Sequence, residues 1–238
     1  MSRVYIHEVV EVDGTRRADY QHHMTANWVP EAVELRRQSC FAVFTLVGST
    51  GPWPRVINIW EYGSWDDLAH NFSVELTGND HRDPMLQRWW AEAAAFRRGG
   101  IDRILVAEGP GLGTQDWESR GGTSATCYSH ELISTAPGGA KALADSLGSA
   151  GADVLGREGA ELVGLWRTAM RADDEVVAIW GHPDWQSWRD TEEAYASGGG
   201  FRSTMIESRQ RWLLVDAELS PLRTGRQPAA SDRRPLPD

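Results

Sequence analysis

The chain has 238 residues, of which 41% are hydrophobic, so it can bury one sizeable core or two small ones. Its formal net charge of -10 excludes nucleic acid as a partner, because an acidic surface is repelled by phosphate backbones. No apolar signal region opens the chain and no apolar run approaches the roughly 20 residues of a membrane span, so we expect a cytoplasmic protein with no membrane partner.

The first half of the chain predicts strand, helix, strand, strand, helix, strand. Alternating apolar residues mark the strands, and helical spacing marks the helices. Ser64 is a suitable N-cap for the second helical region, and Pro30 either kinks the first or begins a new helix. In chain order, the elements are strand 3–10, helix 15–37, strands 40–48 and 54–62, a helix after Ser64, a helical stretch over 84–98, and strand 101–107.

The second half repeats this order. Tyr5–Val9 reappears as Tyr128–Leu132, and Val56–Trp60 reappears as Val176–Trp180. Asp184 is placed to cap a helix just as Ser64 is. Two similar segments in the same order indicate an internal duplication, which decides the fold.

Each half therefore predicts a ferredoxin-like βαββαβ unit, an antiparallel sheet with both helices on one face. Two such sheets can cover each other's bare faces, which predicts an α+β protein forming one intramolecular pseudo-dimeric α/β barrel. We expect a small-molecule pocket between the sheets, in a monomer with pseudo-twofold symmetry or a homodimer. The predicted divisions are 1–108 for the first half, 109–124 for a linker, 125–218 for the second half, and 219–238 for a disordered tail.

Several motifs resemble the dimeric α/β barrel superfamily and, within it, NIPSNAP-type proteins. They are Tyr5-Ile6-His7-Glu8, Val29-Pro30-Glu31, and Val56–Tyr62 followed by Trp65–His70. The resemblance implies the fold. Relatives include cofactor-free monooxygenases, isomerases, lyases, cyclases and haem-binding enzymes, and they share no catalytic residue set, so no residue role is carried over.

Strand alternation divides the third strand of each half into two faces. Ile57 and Ile59 are expected to pack on the helices, since that face is apolar in both halves. Asn58, Trp60 and Tyr62 are then expected to face the barrel interior, matched in the second half by Ala178, Trp180 and His182. The change from Asn58 to Ala178 indicates either a pocket with one polar wall or a buried core asparagine.

The pairs His7-Glu8 and His130-Glu131 are the strongest candidates for chemistry. Adjacent strand residues point to opposite faces, so only one member of each pair can line a pocket. A carboxylate in a dry pocket would have a raised pKa and could act as a general acid or base, and a histidine could do so near neutral pH. The alternative is a structural ion pair, such as glutamate with arginine. We expect a site role for at least one of the four.

His22 and His23 on the first helix either reach the pocket mouth or lie on a solvated helix face. No metal-ligand spacing occurs in the sequence, so neither a metal nor another cofactor is expected. The twelve tryptophans are enough to fill a core or to surround a cavity.

The leading hypothesis is a cofactor-independent isomerase, cyclase or lyase acting on a small, largely apolar or aromatic molecule. The candidates for proton transfer or polarisation are Glu8, His7, His130, Glu131 and Asn58. The candidates for substrate binding are Trp60, Tyr62, Trp180, His182, His22 and His23. Alternatives are a cofactor-free monooxygenase and a non-catalytic binding or interaction protein, for which the sign would be a barrel filled with tryptophan and no cavity.

Overall fold

A computed structural model describes residues 2–76, 84–109 and 111–235. In this part of the chain eight antiparallel strands close into one barrel with the order β1-β3-β2-β8-β5-β7-β6-β4. The strands are β1 (Val4–Val12), β2 (Ser39–Leu46), β3 (Arg55–Tyr62), β4 (Arg97–Ala107), β5 (Cys127–Ser134), β6 (Glu161–Thr168), β7 (Glu175–His182) and β8 (Ser208–Asp216).

The helices include the capped elements that the sequence predicts. The Ser64 side chain accepts the Asp67 N–H, Asp184 accepts the Ser187 N–H, and Pro30 lies in the first turn of α2. The α-helices and π-helical turns of the described residues are α1 (Arg17–His22), a π-helical turn (His23–Trp28), α2 (Val29–Arg36), α3 (Trp65–Glu75), α4 (Pro84–Ala93), α5 (Thr114–Ser119), α6 (Ala140–Ser146), a π-helical turn (Leu147–Gly151), α7 (Ala152–Gly156), α8 (Trp185–Ser197) and α9 (Pro221–Thr224).

Strand pairing follows the repeat in the sequence. The first four strands are ordered β4-β1-β3-β2 and the last four β8-β5-β7-β6, and the pairs β2–β8 and β4–β6 close the barrel. Glu8 on β1 lies opposite Asn58 on β3, just as Glu131 on β5 lies opposite Ala178 on β7. Residues that the sequence repeat makes equivalent therefore also have equivalent cross-strand partners in the two halves.

The interior of the barrel is filled by side chains from all eight strands. Tyr5, Phe41 and Trp166 pack edge to face with ring centroids 5.4–5.7 Å apart. An eight-stranded barrel is just wide enough for such a filling. The prediction of a small-molecule pocket between the two sheets is therefore wrong.

The predicted faces of β3 are also reversed. Ile57 and Ile59 belong to the barrel interior, whereas Trp60 and Tyr62 pack with helix residues outside it. Apolar character did not distinguish the two faces, because helices cover the outside of the sheet and both faces are buried.

His7 and His130 lie inside the barrel and contact each other. Their Nε2 atoms are 2.9 Å apart, the rings stack with centroids at 5.1 Å, and His130 also stacks on Trp212. One ring donates its Nε2–H to the Nε2 lone pair of the other, so the accepting ring must be neutral. Burial lowers the pKa of both, that of His130 to about 3.

The C-terminal segment packs on the barrel, so the predicted disorder of 219–238 is wrong for residues 219–235. Leu222 is buried, Ser220 Oγ accepts the Val43 N–H at 3.1 Å, and the Gln227 side chain bonds both the N–H and the carbonyl of Cys40. These contacts supply partners for backbone groups of β2 and so order the segment. Residues 236–238 lie outside the described residues.

The predicted linker 109–124 contains α5, whose Trp117 is buried against the barrel core. Pro110 of this segment lies outside the described residues. Cys40 and Cys127 are buried free thiols. Within the described ranges, no helix is long and apolar enough to cross a membrane.

The histidine pair should make stability fall in acid. Unfolded histidine takes up a proton below about pH 6.5, whereas the folded pair stays neutral to lower pH, so the unfolded state binds more protons in that window. We expect the melting temperature to fall as the pH is lowered from 7 to 4.5, and the double variant His7→Leu/His130→Leu to show a smaller fall. Calorimetry at both pH values tests this, with His70→Gln as control. An equal fall in the double variant and the wild type would contradict the assignment.

Candidate active site

A cavity of about 530 Å³ lies between the outer face of the first four strands and the helices that cover it. Strands β1, β3 and β4 supply its floor, and α2, α3 and α4 supply walls. Thr168 at the end of β6 and residues 169–171 after it border the cavity from the second half. Trp28, Trp60, Trp89 and Trp90 line it. Its size and aromatic walls suit one small, largely apolar molecule.

Glu8 is held in this cavity by two hydrogen bonds. Its Oε2 accepts Asn58 Nδ2–H and Trp60 Nε1–H, each at 2.9 Å. Asn58 also donates to the Tyr20 hydroxyl at 3.0 Å, which ties the amide to α1. The alternation of β3 thus places Asn58 and Trp60 on the same face, where both donate to the Glu8 carboxylate.

The environment of Glu8 raises its pKa to about 7. Burial is the main cause, and the Asp102 carboxylate adds to it, while the bonds from Trp60 and Asn58 oppose it. A carboxyl with this pKa is present in both protonation states near neutral pH. It can therefore either accept or donate a proton there.

Glu131, the counterpart of Glu8 in the second half, has the opposite surroundings. It is fully buried, with Arg211 Nε at 3.0 Å and Arg209 Nε at 3.7 Å from its carboxylate oxygens. Arg211 also bonds Glu192 at 2.7 Å. Glu131 therefore belongs to a buried ion-pair network, the structural alternative that the sequence left open.

The outer face of the second half is packed with apolar side chains. Trp180, predicted to bind substrate, is buried in a cluster with helix residues that include Leu143 and Leu147. His182 is buried too, with Nε2 at 2.9 Å from Ser129 Oγ, and burial lowers its pKa to about 4. These two residues are core residues and do not line the cavity at Glu8.

The helix histidines are buried as well, so neither lies on a solvated face. His22 Nε2 accepts the Arg234 N–H at 3.1 Å, next to the C-terminal segment. His23 stacks on Trp89 with centroids 4.8 Å apart, and its Nε2 donates to the Trp89 carbonyl at 3.2 Å. His23 thus packs against Trp89 of the cavity wall, whereas His22 lies next to the C-terminal segment and does not line the cavity.

Tyr62, which was predicted to bind substrate, borders another part of the cavity, where the sequence missed Gln38 and Arg36. Tyr62 accepts a bond from Gln38 Nε2 at 2.8 Å, and Gln38 Oε1 accepts Trp28 Nε1–H at 3.1 Å. The Arg36 guanidinium lies 5.3 Å from the Trp28 ring and is almost fully buried. Tyr62 is four residues from Asn58 along β3, about 13 Å, so these groups lie well away from Glu8.

Asp102 was also missed, although the repeat contains a signal for it. The fourth strand of each half pairs with the first, and Asp102 and Arg211 occupy matching positions opposite Glu8 and Glu131. Aligning the fourth strands in the sequence would have exposed this change of charge. Within the described residues, no group of three or more His, Cys, Asp or Glu side chains is arranged to hold a metal ion.

Comparison with solved structures identifies the fold. An anthrone oxidase-like protein superposes with a TM-score of 0.58 at 13% identity, over 90% of this chain and 91% of that one. A proposed monooxygenase from Fusobacterium nucleatum subsp. nucleatum gives 0.56 at 12% identity, over 91% and 93%. One from Lactobacillus acidophilus gives 0.51 at 7% identity, over 90% and 94%.

The chain has the fold of the dimeric α/β barrel proteins. At these identities the likeness concerns the fold alone. No protein-family model matches the sequence, and no curated protein sequence matches it.

The two glutamates should respond oppositely to the same substitution. Glu131→Gln removes the negative charge from two partly buried arginines, so we expect it to lower the free energy of unfolding by about 3 kcal/mol at pH 8. Glu8→Gln should be neutral or stabilising there, because the folded pKa of Glu8 exceeds its unfolded value and its ionisation opposes folding. Urea denaturation of both variants at pH 8 tests this. Equal losses in the two variants would contradict the distinction.

Proposed function

We propose that this protein is a cofactor-independent enzyme that moves a proton on a small, largely apolar or aromatic molecule bound in the cavity, with Glu8 as the general acid/base. The observation that carries the proposal is the contrast between matched glutamates. Glu8 borders a cavity with a pKa near 7, whereas Glu131 is held in an ion-pair network. A purely structural role would not need a cavity at the first glutamate.

The proposed mechanism begins with a substrate whose C–H bond is acidified by a neighbouring carbonyl group. The tryptophan walls hold its flat face, and the ionised Glu8 carboxylate takes the proton. Asn58 and Trp60 fix the carboxylate and remain bonded to it, so they are positioning residues. Return of the proton to another atom gives isomerisation, and use of the carbanion within the substrate gives ring closure or elimination. His7, His130 and Glu131 have no part in this scheme.

The second candidate is a cofactor-free monooxygenase, favoured by the fold neighbours described as monooxygenases and as anthrone oxidase-like. The same proton removal would yield a carbanion that reacts with O2. For anthrone the balance is one anthrone and one O2 giving one anthraquinone and one water. The two candidates thus share the first step and differ in the fate of the carbanion.

The organisation of the chain fits a duplication in which one site was retained. The order β4-β1-β3-β2 and its repeat in the second half support two ferredoxin-like units in a pseudo-dimer. The NIPSNAP-type motif Val56–Tyr62 forms β3 beneath the cavity. The non-catalytic alternative required a filled barrel without a cavity. The barrel is filled, yet a cavity exists outside it, so an enzyme is the better proposal.

Proton exchange on a tricyclic ketone tests the proposal. We expect the wild type to accelerate exchange of the anthrone methylene protons in D2O near neutral pD, and Glu8→Gln to lose about 100-fold of that acceleration, because the base is absent. Mass spectrometry measures the exchange, and an oxygen electrode shows whether O2 is consumed. Glu131→Gln, assayed where it is folded, is the matched control and should keep its activity. Exchange that does not depend on Glu8 would contradict the proposal.

A further inference from the structure

Asp102 on β4 lies directly opposite Glu8 on the neighbouring strand β1. The two residues are Cα partners in the antiparallel pair β1–β4, and both border the cavity. Directly opposed residues of such a pair have Cβ atoms about 4.5–5.5 Å apart on the same face of the sheet. Asp102 is exposed at the cavity rim, whereas Glu8 is half-buried.

The second half provides an internal control for this row of the sheet. In the first half, Glu8 lies between its cross-strand partners Asp102 and Asn58. In the second half, Glu131 lies between Arg211 and Ala178 at the matching positions. One glutamate is placed opposite a cation and the other opposite an anion. Gly100 also occupies the position of Arg209, so the first half lacks both arginines that hold Glu131.

Two carboxylates this close cannot both ionise without a cost, so the pair tends to keep one proton. Asp102 raises the pKa of Glu8, and partial burial of its own carboxyl raises the pKa of Asp102 as well. Among the described residues, the other ionisable groups around the cavity and Glu8 are Arg97 on β4, Tyr20 on α1, Cys40 on β2, Tyr62 on β3, Arg36 on α2, Glu75 on α3, Arg103 on β4 and Arg171 after β6. Among these, Asp102 is the residue paired with Glu8 in the strand register.

We propose that Asp102 is a positioning residue that shares one proton with Glu8 across the β1–β4 pair and passes it between Glu8 and bulk water at the cavity rim. Its catalytic use rests on the proposed function, while the shared proton does not. When the ionised Glu8 takes a proton from substrate, the shared proton is on Asp102. Asp102 then releases that proton to water, and the pair shares the newly taken one, so it again holds one proton. Glu131 has no such route, because its partners are arginines.

The shared proton is tested by titrating Glu8 directly. In protein labelled with ¹³C at the glutamate side-chain carboxyl, the signal lost in Glu8→Gln identifies Glu8. We expect its NMR titration midpoint to fall by about one pH unit in Asp102→Asn and further in Asp102→Arg, which copies the second half, while Asp102→Glu retains a high midpoint. The exposed Asp153→Asn is the matched control. An unchanged midpoint in Asp102→Asn would overturn the proposal, and that isosteric variant decides the matter if Asp102→Arg does not fold.

A kinetic measurement separates this inference from the proposed function. The pH at which anthrone exchange reaches half its maximum should move downward with the NMR midpoint in Asp102→Asn and return in Asp102→Glu. A merely structural role for Asp102 would lower the rate without moving that pH. If the NMR midpoint moves while no exchange depends on Glu8, the carboxyl pair stands and the enzymatic proposal fails. If the exchange depends on Glu8 while the NMR midpoint stays unchanged in Asp102→Asn, the enzymatic proposal stands and the shared proton is refuted.

Discussion

Closure of eight strands into a barrel is the constraint on which the rest of the structure depends. The barrel is narrow enough for its own side chains to fill it, so the rings of Tyr5, Phe41 and Trp166 and the histidine pair occupy its interior. The cavity accordingly lies on the outer face of the sheet, beneath the helices. The tryptophans on those helices, together with Trp60 on the sheet, therefore surround a cavity instead of completing the barrel core.

The chemistry of that outer face depends on which charge lies opposite a glutamate. Glu8 and Glu131 occupy matched positions, and hydrogen bonds alone do not explain their difference. An arginine opposite Glu131 neutralises it within a packed core, whereas Asp102 opposite Glu8 disfavours ionisation beside a cavity. Two differences on the neighbouring strand, Asp102 for Arg211 and Gly100 for Arg209, therefore separate the surroundings of the two glutamates.

The tail shows how a local pattern can mislead. Residues after Ser220 are rich in proline, arginine and aspartate, a composition typical of disorder. The segment is ordered because Gln227 satisfies the backbone of Cys40 and Leu222 is buried. Such long-range partners leave no trace in the composition of the segment itself.

The sequence by itself determined the repeat, the helix caps at Ser64 and Asp184, and the fact that His7 and Glu8 must face opposite sides of one strand, because these follow from local periodicity and side-chain chemistry. It also identified Glu8, Asn58 and Trp60 as candidates. Only the tertiary structure decided which side of the sheet contains the cavity, because both faces are buried and look alike in periodicity. It also decided the surroundings of the two glutamates, since the opposing charge is 94 residues from Glu8 and 80 residues from Glu131 and becomes a neighbour only through strand pairing.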